Sequence, residues 1–509
     1  MNMPPTPEEM QEILGDVGKM RQFFSSMPEA FWLGAGQQAA FATFKTAVAA
    51  VPAYREFLQE AGVNPDEVTL ETLSQLPSMT KENYFHRHTL PETVAGGDIS
   101  KAYWIATSSG TTGKVHYWPR FVEQDALSRV TGELMLSLFD VHDDKPTLCL
   151  IALFLGTWFG GTYSTDMAMQ IGKRPGSKLT TMTPGANNKQ ILDTIQDIGG
   201  YYEQIVITAY PPTARSFLLE GIERGMDWKQ YNIKLILGGE PVSSDWKEYV
   251  LGLLGSENPD DILVTFPMSE VGILSFETPL AARVRQIAHK DRALSKKLFG
   301  TANLAALTQY LPTQRWLDAE NGEITITSAG AVPLVRYKSH DMGGVIRYGK
   351  MVQALSEAGY DLLAEFEKSG HKREDVWQWP FFYCTGRSNS IALLGAKIYP
   401  ENLEAFVYAH PEINNFKIHL AHAKSQQPEF RVYLELREKV RLDSEQSQKL
   451  AREAAEEIHT LLLSNNEDYE DAFGEEGERV KPQVQVLEHG ASYFADAKTK
   501  QQHVLEYDE

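Results

Sequence analysis

Cysteine is scarce in this chain, which contains only Cys149 and Cys384 among its 509 residues. Two cysteines cannot form a disulfide framework or a four-cysteine zinc site, and they are typical of a reducing compartment. Long apolar runs are missing as well. The least polar stretch, residues 148–161, is shorter than the roughly 20 residues that a membrane-spanning helix needs, and we expect a buried strand that enters a loop.

Positive charge is also in deficit. The chain holds 48 Lys and Arg residues against 68 Asp and Glu residues, which gives a formal net charge of -20. This balance argues against nucleic acid or an anionic membrane as a partner, so that an anionic ligand needs a local site. Residues 1–10 carry Pro and Glu where a signal peptide carries a basic and then an apolar segment, and we therefore expect a cytoplasmic location.

Apolar residues are plentiful enough for a large core. They make up 42% of the chain, which excludes a largely disordered protein, and the length predicts two or three domains. Residues 1–100 space their apolar side chains as helices do, for example at Ala40, Phe44 and Ala47. This region is expected to form a helical packing layer.

Residues 101–386 have the pattern of an α/β core. Short β-branched runs, such as 204–208, 234–237 and 261–265, alternate with helical stretches and glycine-containing turns. This alternation favours a sheet with many parallel strands. The predicted fold class is therefore α/β, with residues 1–386 as a large domain.

Residues 387–509 have a different pattern, which predicts a small α+β domain. Alternating apolar residues predict strands near 416–420 and 430–436, and a helix is expected from about Ser444. Farther on, residues 467–478 hold seven acidic residues and no Lys or Arg. We expect that segment to be a solvated loop.

The densest chemical signal is a loop of small residues after a strand-like run. It consists of Ser108, Ser109, Gly110, Thr111, Thr112, Gly113 and Lys114. Small residues let the backbone approach an anion, hydroxyl and amide groups donate to phosphate oxygens, and the lysine adds positive charge. The spacing of the glycines differs from that of a Walker loop, which disfavours a P-loop kinase. A plain surface turn is the alternative interpretation.

This loop and four later segments resemble, in the same order, motifs of the adenylate-forming enzymes, the superfamily of acyl-CoA synthetases, adenylation domains and luciferase. Residues 238–241 (GGEP) resemble the adenine-pocket turn, and 266–270 (FPMSE) resemble the aromatic-Gly-x-Thr-Glu motif. Residues 333–341 (PLVRYKSHD) resemble the segment that ends in a ribose-binding Asp, and 386–390 (GRSNS) resemble the hinge before the C-terminal domain.

Upstream segments narrow the resemblance to the phenylacetate-CoA ligase-like branch. These segments are residues 51–55, 61–63 and 76–81. The resemblance implies the adenylate-forming fold, with residues 1–386 as the ATP- and acyl-binding domain and 387–509 as a small mobile domain. It also implies ATP- and Mg²⁺-dependent activation of a carboxylic acid, aromatic or of a related small kind, and transfer of the acyl group to CoA.

The resemblance further implies a role for each matching residue. The loop 108–114 holds the β- and γ-phosphates, with the Thr111 and Thr112 hydroxyls as main donors. Ser269 contacts the α-phosphate, and Glu270 holds Mg²⁺, a hard ion that prefers oxygen ligands.

The nucleoside has its own set of residues in this resemblance. Phe266 stacks on adenine, Asp341 accepts hydrogen bonds from the ribose hydroxyls, and Arg387 contacts ribose or phosphate. The base is bordered by Gly239, Glu240 and Pro241.

Adenylation also needs a cation from the end of the chain. Residues 496–504 resemble a degraded form of the lysine segment of the branch, which makes Lys498 the candidate and Lys500 its alternative. A solvated tail lysine is the other interpretation of either residue. Four aromatic residues in or near glycine-rich turns are candidates for the acyl pocket, although such residues are more often plain core: Trp158, Phe159, Tyr163 and Tyr210.

Some positions depart from the motifs. Pro267 stands where the glutamate motif has Gly, and Asn389 and Ser390 stand where the branch has two Asp residues at the hinge. The cysteine cluster that many branch members carry before the ribose Asp is missing, so no structural zinc is expected.

These departures leave two alternatives to a CoA ligase. The first is adenylation followed by transfer of the acyl group to an amine or a carrier protein, and the second is an inactive nucleotide-binding regulator. The branch tends to dimerise, which makes a homodimer one expected assembly.

Overall fold

The computed structural model describes residues 6–107, 116–141, 145–240, 242–301, 306–386, 391–393, 396–422, 428–495 and 503–505. These residues belong to two compact units. The large unit comprises Met1–Val242 and Val250–Thr385. The small unit comprises Ser243–Tyr249 and Gly386–Glu509.

Helices and strands are numbered here in chain order over the described residues. The α-helices are α1 (Pro7–Leu14), α2 (Val17–Ser26), α3 (Glu29–Ala50), α4 (Pro52–Glu60), α5 (Leu90–Thr93), α6 (Val122–Ser137), α7 (Phe159–Gly172), α8 (Asn188–Ile198), α9 (Pro211–Glu223), α10 (Ser244–Leu254), α11 (Pro279–Lys290), α12 (Arg292–Phe299), α13 (Tyr348–Glu357), α14 (Leu362–Lys368), α15 (Glu404–Ala409), α16 (Ser444–Asn465) and α17 (Glu467–Glu476).

The β-strands of the described residues are numbered in the same way. They are β1 (Trp104–Thr107), β2 (Tyr117–Arg120), β3 (Thr147–Ala152), β4 (Leu179–Met182), β5 (Gln204–Ala209), β6 (Ile233–Leu237), β7 (Ile262–Met268), β8 (Gly272–Phe276), β9 (Ala306–Gln309), β10 (Trp316–Glu320), β11 (Glu323–Ser328), β12 (Leu334–Ile346), β13 (Phe381–Gly386), β14 (Ile391–Leu393), β15 (Ala396–Ile398), β16 (Ile413–His422), β17 (Pro428–Leu436), β18 (Gln483–Leu487) and β19 (Val504–Leu505).

The N-terminal part of the large unit is mainly helical, as its apolar spacing predicts. Helix α3 ends at Ala50 because Val51 is extended and Pro52, which lacks an N–H group, opens α4 at a position where none is needed. Ala40, Phe44 and Ala47 lie on the buried face of α3. The apolar residues with helical spacing in the sequence therefore form the face of α3 that packs against the rest of the unit.

A long sheet forms the centre of the large unit. Its order within the described residues is β10-β11-β12-β13-β9-β8-β7-β6-β5-β3-β4. Strands β4, β3, β5, β6 and β7 run parallel, and β8 then pairs antiparallel with β7. Every residue of β3 is buried, as expected for a strand covered on both faces. The predicted α/β fold class is confirmed, and the predicted runs at 204–208, 234–237 and 261–265 are β5, β6 and β7.

The small unit is built around a second sheet, in the order β18-β17-β16-β19. Strands β16 and β17 pair antiparallel, with Phe416 opposite Leu434 and Ile418 opposite Val432. These side chains are buried together with Ile458 of α16. The alternation seen in the sequence therefore marks the core face of this sheet.

The prediction of a solvated loop at 467–478 is wrong. Residues Glu467–Glu476 form α17, whose N-cap Asn466 accepts a hydrogen bond from the amide of Tyr469 at 3.0 Å. Tyr469 is fully buried, and its hydroxyl lies 2.8 Å from Nδ1 of His459. The prediction considered only the acidic residues, whereas Tyr469, Ala472 and Phe473 have helical spacing and form an apolar face.

No helix within the described ranges combines the length and the apolar character that a bilayer span needs.

Two glycines of α3 give opposite predictions for the same substitution. A Cβ at Gly34 meets nothing within 4 Å, whereas a Cβ at Gly36 would lie 2.6 Å from Cβ of Pro312. Gly34→Ala should stabilise the large unit by about 0.5–1 kcal/mol, since alanine favours the helix. Gly36→Ala should destabilise it by about 1–3 kcal/mol because the packing leaves no room. Calorimetric unfolding of both variants measures the difference, and equal shifts would contradict the packing of α3.

Candidate functional site

The carboxyl ends of three neighbouring parallel strands bring predicted site residues to one edge of the large-unit sheet. Tyr210 directly follows β5, Gly238 directly follows β6, and Phe266 lies near the end of β7. Strands β5, β6 and β7 are hydrogen-bonded neighbours. In α/β sheets this edge is the usual place for a ligand, because the loops there can vary without disturbing the core.

The turn after β6 requires its two glycines. A side chain at Gly238 would collide with Oγ1 of Thr265, which donates to the carbonyl oxygen of Leu237 at 3.0 Å. Gly239 has a φ of +87°, and a Cβ there would lie 2.7 Å from Cε1 of Tyr210. The turn therefore passes tightly between β7 and Tyr210, with no room for a larger residue at either glycine.

Tyr210 and Glu240 are electrostatically coupled at this turn. Burial raises the pKa of Tyr210 to about 12, and the nearby Glu240 carboxylate adds to the shift. The tyrosine is therefore neutral at physiological pH and able to donate a hydrogen bond.

Phe266 lies beside the turn, half-buried at the edge of the core. Its ring meets that of Phe382 edge-on, with 5.0 Å between the centroids. Pro267 follows at a bulge where the pairing of β7 with β8 shifts register. A proline fits there because a bulge does not need its missing N–H group, so this departure from the motif is accommodated by the local backbone.

Glu270 places a carboxylate just beyond the end of β7. Its side chain is only 8% exposed. Oγ of Ser269 donates to Oε2 at 2.9 Å, and the hydroxyl of Tyr337 donates to Oε1 at 3.2 Å. A buried carboxylate is costly unless hydrogen bonds replace its water, and both oxygens have such a donor.

Tyr337 reaches Glu270 from β12. The pairing of β11 with β12 is irregular next to it, and Arg336 has a φ of +52°. A bulge of this kind re-aims a side chain, here towards β7. Burial raises the pKa of Tyr337 well above its usual range, with a further contribution from Glu270. Tyr337 therefore acts as a fixed hydrogen-bond donor.

Lys81 supplies a cation at the same carboxylate. Its Nζ lies 3.8 Å from Oε1 of Glu270, and its side chain is 20% exposed. Lys81 opens a short helical turn, Lys81–Phe85, which Thr80 and Asn83 cap reciprocally. The site therefore joins residues from β7, β12 and the N-terminal helical region.

Asp341 lies farther along β12 and is 2% exposed. Oγ of Ser339 donates to its Oδ2 at 2.7 Å. The carboxylate of Asp341 is therefore closed off from solvent.

Several predicted site residues lie outside the described part of the chain. They are Ser108, Ser109, Gly110, Thr111, Thr112, Gly113, Lys114, Pro241, Arg387 and Lys498, together with the alternative Lys500. The flanking strands β1 and β2 are described, and their antiparallel pairing sets Thr107 opposite Tyr117. The predicted phosphate loop thus joins two paired strands. Oγ1 of Thr107 donates to the carbonyl oxygen of Thr157 at 2.7 Å, beside Trp158.

The four aromatic candidates for the acyl pocket divide into two kinds. Phe159 and Tyr163 are buried and stacked at 4.8 Å, with the guanidinium of buried Arg120 over both rings. Trp158 and Tyr210 are partly exposed. The second pair is the more accessible to a ligand.

For two residues of the site, the sequence motifs do not predict a contact with Glu270. Lys81 and Tyr337 lie more than 60 residues from Glu270 along the chain, and only the fold brings them to it. Phe154 is 41% exposed in the loop after β3, with its ring 6.0 Å from that of Tyr210. This exposed ring adds apolar surface at the sheet edge. The sequence predicted only a buried strand that enters a loop at 148–161, and it did not predict this role.

Among solved structures, the chain is similar to 2-hydroxyisobutyryl-CoA ligase. In the postadenylation state with 2-HIB-AMP, the TM-score is 0.65 at 14% identity, over 94% of this chain and 90% of that chain. With R3-HIB-AMP in the same state, the TM-score is 0.64 at 14% identity, over 95% and 91%. For an open conformation with 2-HIB-AMP and CoA it is 0.53 at 13% identity, over 94% and 93%.

These similarities establish the fold. The chain has the fold of acyl-CoA ligases of the adenylate-forming superfamily, as its ordered motifs predict. They do not specify the phenylacetate-CoA ligase-like branch, which stays a prediction. No family model and no curated protein matches the chain.

Two buried tyrosines test whether the hydrogen bond from the Tyr337 hydroxyl to Glu270 stabilises the protein. Tyr337→Phe removes a donor to a buried carboxylate and should lower the free energy of unfolding by about 1–3 kcal/mol. Tyr54 is equally buried, but its hydroxyl has no hydrogen-bond partner among the described residues. Tyr54→Phe should be neutral or stabilising. Denaturant titrations compare the two variants, and equal losses would show that Tyr337 acts through packing alone.

Proposed function

We propose that this protein is an AMP-forming ligase that activates a carboxylic acid with ATP and transfers the acyl group to CoA. The observation that carries the proposal is the buried Glu270 carboxylate at the carboxyl edge of the parallel strands, the edge at which the glycine turn after β6 also lies. The fold supports it, since solved structures of 2-hydroxyisobutyryl-CoA ligase hold 2-HIB-AMP and CoA. The large unit provides this site, and residues 387–509 act as the mobile domain.

The nucleoside is proposed to lie on the turn after β6. Phe266 and the backbone of Gly239, Glu240 and Pro241 flank adenine, and the glycine φ keeps side chains out of its way. Asp341 accepts from the ribose hydroxyls after its cover has moved, and Arg387 contacts ribose or phosphate. That movement is a conformational step before chemistry.

The metal is proposed to bind at Glu270. Mg²⁺ prefers oxygen ligands and is usually held by one or two carboxylates and by substrate phosphates, which a single buried glutamate fits. When bound, Mg²⁺ neutralises charge on the phosphates. Ser269 and Tyr337 orient the carboxylate so that it does not have to reorganise.

The phosphates are proposed to contact the loop between β1 and β2. Ser108, Ser109, Thr111 and Thr112 donate hydroxyl hydrogen bonds there, and Lys114 adds charge. Gly110 and Gly113 allow the backbone to approach the ligand. Ser269 reaches the α-phosphate, and Lys498 brings a further cation to the reacting centre.

The acid is proposed to be aromatic or a related small acid. Trp158 and Tyr210 are partly exposed, and Phe154 lies next to Tyr210, so these rings offer apolar surface to a ligand. Phe159 and Tyr163 are buried and stack on each other. A cytoplasmic location and a homodimer stay predictions of the sequence.

Charge removal at Glu270 tests the proposed metal role. Glu270→Gln keeps the shape of the side chain but should lower Mg²⁺-dependent pyrophosphate release by on the order of 100-fold, because a preorganised charge is lost. Calorimetric titration should also show weaker Mg²⁺-dependent ATP binding. Glu133→Gln is the matched control, since Glu133 is a buried acid that pairs with Arg129 and Arg174 elsewhere in the unit. Full activity of Glu270→Gln would exclude the metal role.

The acyl acceptor is tested by pyrophosphate release with and without CoA. A panel of aromatic, fatty and amino acids is incubated with ATP and Mg²⁺, and products are identified by mass spectrometry. We expect one acid class to give release that rises with CoA and ends in a thioester. Release without stimulation by CoA would favour an amine or a carrier protein. ATP binding without release would favour a regulator.

A further inference from the structure

Lys81 and Glu270 form an ion pair in which the lysine ammonium does not donate a close hydrogen bond to the carboxylate. The two side chains are largely buried, yet 3.8 Å separates Nζ from Oε1. This separation is too long for a good hydrogen bond, so Glu270 leaves the ammonium donors available to another acceptor. The oxygens of Glu270 are meanwhile engaged by Ser269 and Tyr337.

The segment before Lys81 is held in place by two hydrogen bonds to β12 and one to β10. The amide of Lys338 donates to the carbonyl oxygen of Met79 at 2.9 Å, and Nε of Arg336 donates to the carbonyl oxygen of Leu76 at 2.8 Å. Oγ of Ser78 donates to Oε2 of Glu320 at 2.7 Å. The segment before Lys81 is therefore tied to the same strand that supplies Tyr337.

The turn that follows Lys81 is anchored as well. The amide of Asn83 donates to Oγ1 of Thr80, and Oδ1 of Asn83 accepts from the amide of Thr80. Tyr84 is buried, with its ring edge-on to Phe57 at 5.6 Å. The backbone is thus anchored on both sides of Lys81, so that only its side chain has to be ordered when it binds a ligand.

We propose that Lys81 is a catalytic residue of adenylation, whose ammonium moves from Glu270 to the α-phosphate of ATP. This inference rests on the proposed function. In the step, a carboxylate oxygen of the acid forms a bond to the α-phosphorus, the bond to the bridging oxygen breaks, and pyrophosphate leaves with the electron pair. Lys81 stays protonated and donates to a non-bridging oxygen where negative charge develops.

The large unit thus supplies its own cation to the reacting phosphate. Lys81 acts on adenylation and takes no part in thioester formation, during which the thiol attacks the acyl carbon. The two half-reactions therefore separate this role from a purely structural one.

The test compares Lys81→Met, Lys81→Arg and the matched variant Lys234→Met. Lys234 pairs with Asp261 at 2.5 Å and is 14% exposed, but it lies at the amino end of β6, away from the site. Pyrophosphate release measures adenylation, and a synthetic acyl-adenylate with CoA measures the second half-reaction. Calorimetric titration measures binding of ATP with Mg²⁺.

Lys81→Met should lower the kcat of adenylation by on the order of 100-fold, with thioester formation from the acyl-adenylate unchanged. Lys81→Arg should restore part of the loss, and Lys234→Met should resemble the wild type. Unchanged adenylation in Lys81→Met would overturn the proposal. Equal losses in Lys81→Met and Lys234→Met, or losses in both half-reactions, would assign Lys81 a structural role and overturn it too.

A failure of the proposed function gives a different result. The wild type would then release no pyrophosphate with any acid, while ATP binding still tests Lys81. Weaker binding of ATP with Mg²⁺ in Lys81→Met would support its contact with phosphate, and unchanged binding would overturn it.

Discussion

A carboxylate buried at the end of β7 constrains much of the surrounding structure. Glu270 has little contact with water, and an unpaired buried charge is strongly destabilising. Its oxygens are instead satisfied by the neighbouring Ser269 and by Tyr337 from a distant strand. The bulge at Arg336 and the anchoring of the segment before Lys81 both serve this arrangement, because each brings a partner to the same group.

The sheet changes direction at this carboxylate. Strands β3 to β7 run parallel, and β8 turns back antiparallel shortly after Glu270. Loops after the parallel strands gather at one edge, and the reversal sets Glu270 beside them. The overall charge of -20 repels a nucleotide, so local cations such as Lys81 matter at this edge. An acidic protein can bind ATP when the field near the phosphates differs from that of the whole chain.

The sequence predicted those parts of the site that are local. Gly238, Gly239, Phe266 and Glu270 belong to short motifs, and their positions after β6 and β7 follow from strand order. The α/β class and several strands were predicted because periodicity is itself a local property. The branch and the roles of residues outside the described ranges stay predictions.

Distant and cooperative features could not be predicted in this way. Lys81 and Tyr337 carry no motif for contact with Glu270, since only the register of β12 and the bonds to Met79 bring them together. The acidic segment 467–478 was interpreted by its charge, whereas Tyr469 and Ala472 bury an apolar face that stabilises α17. Tertiary packing outweighs composition in that case.

In the proposed reaction the acid attacks the α-phosphorus of ATP, and the decisive measurement is whether oxygen from the acid appears in AMP. The acid is labelled with ¹⁸O in its carboxylate, turned over with ATP, Mg²⁺ and CoA, and the AMP is analysed by mass spectrometry. We expect AMP to carry a labelled oxygen, because the carboxylate oxygen stays with phosphorus when the thiol attacks the acyl carbon. Label in inorganic phosphate with formation of ADP, or AMP without label, would contradict it.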